Sequence, residues 1–270
     1  LRGPEYAGST HPWGGCRPGS IPGGPTKTKL LARRRRRIWL LTLFIIGKIK
    51  DMKKHFFVSL IIFLAVFGYT VIRYNVIKGT PWVELPLFIS NKAISLSAVV
   101  FIALSYMLGS LARFWPRTFV TALGLRKFFG LAGFGLAALH GLISLLIFTP
   151  NYYPKFFLAS GKLNLIGELS MLFGSLAFFV FTIVAASSIP AIAKSMEFKR
   201  WLRVQRLGYF GLILVFFHVF IMGFEGWLKP AGWPGGLLPI SLVAAIVIAF
   251  VLLLKIIAVI APKKAEETKT

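Results

Sequence analysis

From residue 56 onward, long apolar runs alternate with short polar or turn-rich links. Six of the runs are long enough to cross a bilayer, which takes about 20 residues of helix. They lie at roughly 56–74, 93–115, 128–148, 163–186, 207–227 and 238–260, and each is closed by proline, glycine or charge. A lipid interior offers no partner for exposed backbone N–H and C=O groups, so runs of this length are predicted as helices rather than strands. The expected fold is all-α: a polytopic membrane protein with a six-transmembrane-helix bundle at residues 52–262 and a polar tail at 263–270.

Residues 1–51 follow another pattern. A Pro/Gly-rich stretch reaches Pro25, the basic run Arg33 to Arg37 follows, and then comes an apolar segment from Ile38 to Gly47 that is too short to span. The first methionine is Met52, directly ahead of Lys53 and Lys54. Residues 1–51 are therefore read as a disordered basic arm, an extension ahead of a natural start at Met52, with a genuine arm as the alternative. A signal peptide is disfavoured because no small-residue cleavage site follows the short apolar run.

Composition agrees with the bilayer as solvent. Hydrophobic residues make up 56% of the 270-residue chain and the mean hydropathy is +0.75, above the roughly 45–50% apolar share of soluble domains. The formal net charge of +24 raises the question of a nucleic-acid partner. The basic residues, however, sit in the arm and in alternate links rather than on one face, so the excess is read as topology. Cys16 is the only cysteine, which excludes a disulfide framework, a CxxC redox pair and a cysteine metal site.

Lysine and arginine mark the cytoplasmic side. They collect at Lys53-Lys54, at Arg117, Arg126 and Lys127, at Lys194, Lys199, Arg200 and Arg203, and at Lys263-Lys264. The intervening links hold only Lys78 and Lys92, Lys155 and Lys162, and Lys229, beside the interfacial aromatics Trp82, Tyr152, Tyr153 and Trp233. Both termini are expected in the cytoplasm.

An ionisable side chain inside a span is a functional-site candidate by default. His140 on helix three lies 14 residues beyond Arg126, and His218 on helix five lies 12 residues beyond Arg206. At 1.5 Å per residue these are ~21 Å and ~18 Å from the same boundary. Two imidazoles at one level meet the requirement for ligating one iron from two sides. A single buried histidine is more ordinarily an imidazole bonded to a neighbouring helix. Gly130, Gly133, Gly135, Ala137, Ala138, Gly141, Gly208 and Gly211 would admit a flat macrocycle, or simply pack helices closely. His55 belongs to the headgroup region and His11 to the arm. Glu168 is a possible third ligand or proton relay, or an interfacial carboxylate facing water; Arg73 is a partner for a haem propionate or snorkels outward.

Arg126-Lys127, Gly130-Leu131, Phe134 and Leu139-His140, then Ser187-Ser188, then Trp201 through Tyr209 and His218, in that order, resemble the ferric reductase-like transmembrane domain family. The likeness covers approximately Met52 to Ile260. Within the family it is greatest to the haem-binding membrane subunits of periplasmic methionine sulfoxide reductase systems. The resemblance implies one haem b with His140 and His218 as axial ligands, electron transport across a bacterial inner membrane, and an extracytoplasmic reductase as acceptor. At Gln205 many relatives have a histidine for an inner haem, so a second haem is not expected here. The remaining ~20 Å to the cytoplasm favours a quinol or flavin donor, supplied as a separate molecule. Two further readings stay open: a ferric reductase acting directly on metal ions, and a non-redox transporter or scaffold. A zinc or copper site from His140, His218 and Glu168 would be sparse beside the four protein ligands usual for structural zinc.

Overall fold

The computed structural model describes residues 53–261; the arm at 1–51 and the tail at 263–270, with His11, Cys16 and the expected start at Met52, lie outside the described residues. Among the described residues, six helices are long and apolar enough to cross a membrane: α1 (Lys53–Ile77), α2 (Trp82–Phe114), α3 (Thr121–Ile147), α4 (Leu165–Ala186), α5 (Phe198–Trp227) and α6 (Pro234–Ile260). No strand occurs among the described residues, only an isolated bridge between Phe157 and Leu163. The all-α, six-span expectation holds.

The helices outrun the apolar runs at several ends. Helix α5 begins at Phe198, so Lys199, Arg200, Arg203 and Arg206 are helical; a helix continues for as long as its backbone bonds close, whereas hydropathy stops at the first charge. At the other end of the bundle, α1 closes in a π-helical turn, Ile72–Ile77, and α2 opens through a 3₁₀ turn and a second π turn, Leu85–Ile89, before regular helix starts at Ser90. Pro86 accounts for part of that irregularity, since it has no N–H to donate.

Helix α2 is the central element. Of its most apolar window 61% is buried, against 11–28% for the other five. Among its inward positions are the small or polar residues Asn91, Ser97, Ser105 and Ser110, and small residues let membrane helices approach closely. It packs along α3 on one side and α6 on another, while α4 packs along α5 and α5 also meets α6. Thus α3 and α5, which carry the two histidines, are each seated mainly on a different neighbour. Hydrogen bonds fix the ends: Tyr69 and Arg73 of α1 donate to the Leu238 carbonyl at the start of α6, and Arg113 at the end of α2 donates to the Ala261 carbonyl.

Candidate functional site

His140 sits about two turns before the end of α3 and His218 about two and a half turns before the end of α5, both in the half of the bundle opposite the basic links. Each ring is held from a neighbouring helix through the same atom, Nδ1.

The Nδ1 of His140 lies 2.9 Å from Asn91 Oδ1 on α2. Asn91 Nδ2 donates to Ser144 Oγ at 3.0 Å, one turn along α3 from the histidine, and Ser144 Oγ is itself 3.4 Å from Nδ1. Because the amide nitrogen of Asn91 is committed to Ser144, its oxygen faces the ring and only accepts, so Nδ1 carries the proton. Asn91 is 1% exposed; a buried amide of this kind holds its orientation through both partners.

The Nδ1 of His218 lies 2.8 Å from the main-chain carbonyl of Ser170 on α4 and 3.2 Å from its hydroxyl. A carbonyl only accepts, so this ring has the same tautomer. Gly174 explains how the imidazole reaches a carbonyl inside a helix: a Cβ built there would stand 3.0 Å from Nδ1. With no side chain at that position, the second lone pair of Ser170 remains accessible alongside the helical bond. Among the described residues, neither Nε2 has a hydrogen-bond partner.

The link between α3 and α4 ties this half together. Phe156 is fully buried, its carbonyl approaches Gly167, and its ring lies beside Phe148. Lys155 donates to the Met222 carbonyl, one turn past His218, and burial holds its ammonium below the ordinary lysine range against the opposing pull of Glu225. Tyr153 packs edge-on to Phe88 of α2, and burial pushes its phenol up to about 12. Its hydroxyl is therefore neutral at physiological pH.

The other candidates resolve differently. Glu168 is exposed in the first turn of α4, where a carboxylate suits the positive end of the helix dipole. No group of three His, Cys, Asp or Glu side chains able to hold a metal ion occurs among the described residues, so Glu168 does not complete a three-ligand site with the histidines. Arg73 does not snorkel. It is 5% exposed, and its Nε donates to the carbonyl of Leu238 at 2.9 Å, with Leu237 at 3.4 Å. His55 lies beside Phe128 at the basic end.

Most of the glycines expected to make room for a macrocycle instead pack helices. A Cβ on Gly133 would meet Ile102, on Gly211 Phe181, and on Gly208 the Tyr106 hydroxyl, while on Gly130 it would stand 3.1 Å from Ser105 Oγ. Only Gly135 and Gly141 of that set have nothing within 4 Å. Gly174 carries no signal of a site residue in the sequence, and Asn91, Ser144 and Ser170, being uncharged, do not stand out as ionisable groups do. A buried Asn in an otherwise apolar span is the signal that would have found the first of them.

At the basic end, Gln205 Nε2 donates to Ser187 Oγ at 2.9 Å and to Ser188 Oγ at 3.2 Å. Tyr106 donates to the Gln205 carbonyl at 3.1 Å and packs edge-on against Tyr209. Arg126 and Ser105 exchange two bonds, side chain to main chain in each direction.

The comparisons with known proteins fit this picture. In an alignment 168 positions long that covers 53% of this chain, it is 25% identical to the metalloreductase STEAP2 of Mus musculus. That likeness accords with a ferric reductase-like transmembrane domain in a multi-pass membrane protein. The matched segment is 34% of that relative, so the chain spans about a third of the length of the protein it matches. No family model matches the chain.

The donor set fits a bis-imidazole haem. Both rings are in the Nδ1–H tautomer with the acceptor supplied from the next helix, which is how metal-ligating histidines are ordinarily held, and a haem iron needs no third protein ligand.

Proposed function

We propose that the chain is the membrane electron-transfer subunit of an oxidoreductase, carrying one haem b between His140 and His218 close to the extracytoplasmic face, with both termini in the cytoplasm. One observation carries the reading: two intramembrane imidazoles, on separate helices, each with Nδ1 bonded to an acceptor and Nε2 left bare. When bound, haem b supplies a one-electron ferric/ferrous couple.

The chain's own residues do the rest. His140 and His218 would hold the haem iron, each through its unbonded Nε2. Asn91 with Ser144, and the Ser170 carbonyl with Gly174, fix the plane and tautomer of each ring. The link between α3 and α4 adds a cluster of packed aromatics, Phe148, Tyr153, Phe156 and Phe157, to the histidine half. On the cytoplasmic side Gln205, Tyr106, Ser187 and Ser188 engage one another, which argues for a single haem and for electrons entering from a membrane quinol or a flavin carried by a separate donor.

The acceptor we favour is an extracytoplasmic reductase of the methionine sulfoxide type, making this an MsrQ-like subunit of a bacterial inner membrane; the ordered motifs around His140 and His218 support it. The similarity to a protein described as a metalloreductase favours a second reading, direct reduction of metal ions at the outer face.

The test is the visible spectrum of the detergent-purified protein and of His140→Ala and His218→Ala. A Soret band with a reducible alpha band, lost in both variants, is the expected result. Full haem in both variants would refute the ligand assignment, and a wild-type protein without a Soret band would leave the transporter or scaffold reading.

A further inference from the structure

The two imidazoles differ in what holds them. His218 is held by a main-chain carbonyl, which no substitution at Ser170 removes. His140 is held by a side chain, Asn91 Oδ1, itself oriented by Ser144. We infer that the Asn91–Ser144 pair sets the reduction potential of the site, acting through His140 as a positioning and polarising pair; the inference rests on the His140–His218 reading proposed above.

The physical argument concerns the strength of the acceptor at Nδ1–H. A stronger acceptor draws the ring proton away, makes Nε2 more electron-rich and stabilises the more positive ferric iron. A weaker acceptor does the reverse. Hydrogen bonds to the ligands are one of the levers by which a protein tunes a metal centre.

A carboxamide is a neutral acceptor of intermediate strength, between a carboxylate and no acceptor at all. Asn91 is buried on α2 and reaches across to α3, with Ser144 holding its amide so that the oxygen cannot rotate away. Without Ser144 the amide would lose the bond that decides which of its two faces meets His140. The arrangement lets one residue move the potential in either direction with both histidines kept in place.

The experiment is a redox titration of the haem-loaded, full-length protein and of Asn91→Asp, Asn91→Leu and Ser144→Ala, followed by the alpha band. Asn91→Asp is expected to lower the midpoint, and Asn91→Leu to raise it, each corresponding to about a tenfold change in the ferric/ferrous equilibrium, about 59 mV for one electron. Ser144→Ala is expected to move it by less, in the direction of Asn91→Leu. Opposite signs for the isosteric acid and the apolar variant are the signature, because a residue that merely fills space would shift both the same way.

Should Asn91→Asp fail to accumulate, Asn91→Leu and Ser144→Ala decide the matter: each must raise the midpoint while the low-spin spectrum is kept. A wild-type Soret band with midpoints that do not move, or with Asn91→Asp and Asn91→Leu shifting the midpoint the same way, overturns this inference alone. A wild-type protein with no Soret band overturns the haem reading and this inference with it.

Discussion

The two halves of the bundle use the same helices for opposite ends. In the half with the basic links, polar side chains turn to one another. Gln205 bonds Ser187 and Ser188, Arg126 and Ser105 exchange bonds, and Tyr106 lies so close over Gly208 that a methyl group there would overlap its hydroxyl. Beneath them, Ile102, Phe181, Leu212, Ile248 and Val251 form a buried cluster with Tyr106. In the other half, each polar contact around the histidines holds one ring atom and leaves the other bare. The difference is one of purpose in the packing: around Gln205 and Arg126 the polar side chains named above bond one another, whereas around the histidines each bond orients a ring and leaves its Nε2 unmatched, as the proposed haem site requires.

The largest expected effect is at the ligands, where His218→Ala should remove the haem outright while the basic half stays folded; absorbance at the Soret band against protein concentration measures it. The converse change should do little: Gln205→His is expected to leave the haem content at one per chain, because helix three offers Arg126 and Lys127 at that level and Tyr106 occupies the intervening space. A second haem by pyridine haemochromogen assay would break the comparison.

Packing variants come next. Gly208→Ala forces Tyr106 to move and should destabilise the bundle by about 1–3 kcal/mol, in the range of overpacked cores, with the ligands untouched; detergent unfolding followed by tryptophan fluorescence reads the loss. Gly174→Ala puts a methyl group against the His218 ring and should weaken haem retention on dilution while leaving the apoprotein's unfolding nearly unchanged. The smallest effect is expected from Ser187→Ala, which removes one of the bonds to Gln205. Interhelical hydrogen bonds in membranes average about 0.6 kcal/mol, and the same unfolding assay should register a shift of that order with no change in the haem spectrum.

The spans were legible because apolar runs of this length form helices in lipid, and the histidines stood out because an ionisable side chain in a span is rare. What holds the histidines was not legible. Asn91 meets His140 only through the register of α2 against α3, which is set by Ser105, Gly130 and Gly133 and their neighbours and not by any pattern along one helix. Gly174 reads in sequence as one more small residue, and Gly133 and Gly208 read as room for a macrocycle although they seat Ile102 and Tyr106. The inward-turned Arg73 lies in the π-helical end of α1, which no apolar periodicity announces.

Whether one iron is shared by two imidazoles is tested most directly by low-temperature EPR of the oxidised protein. Paired nitrogen ligands at His140 and His218 give a low-spin ferric signal that converts to high-spin, or vanishes, when either histidine is replaced. A high-spin signal in the unaltered protein, or a low-spin one that survives both replacements, would contradict the shared site.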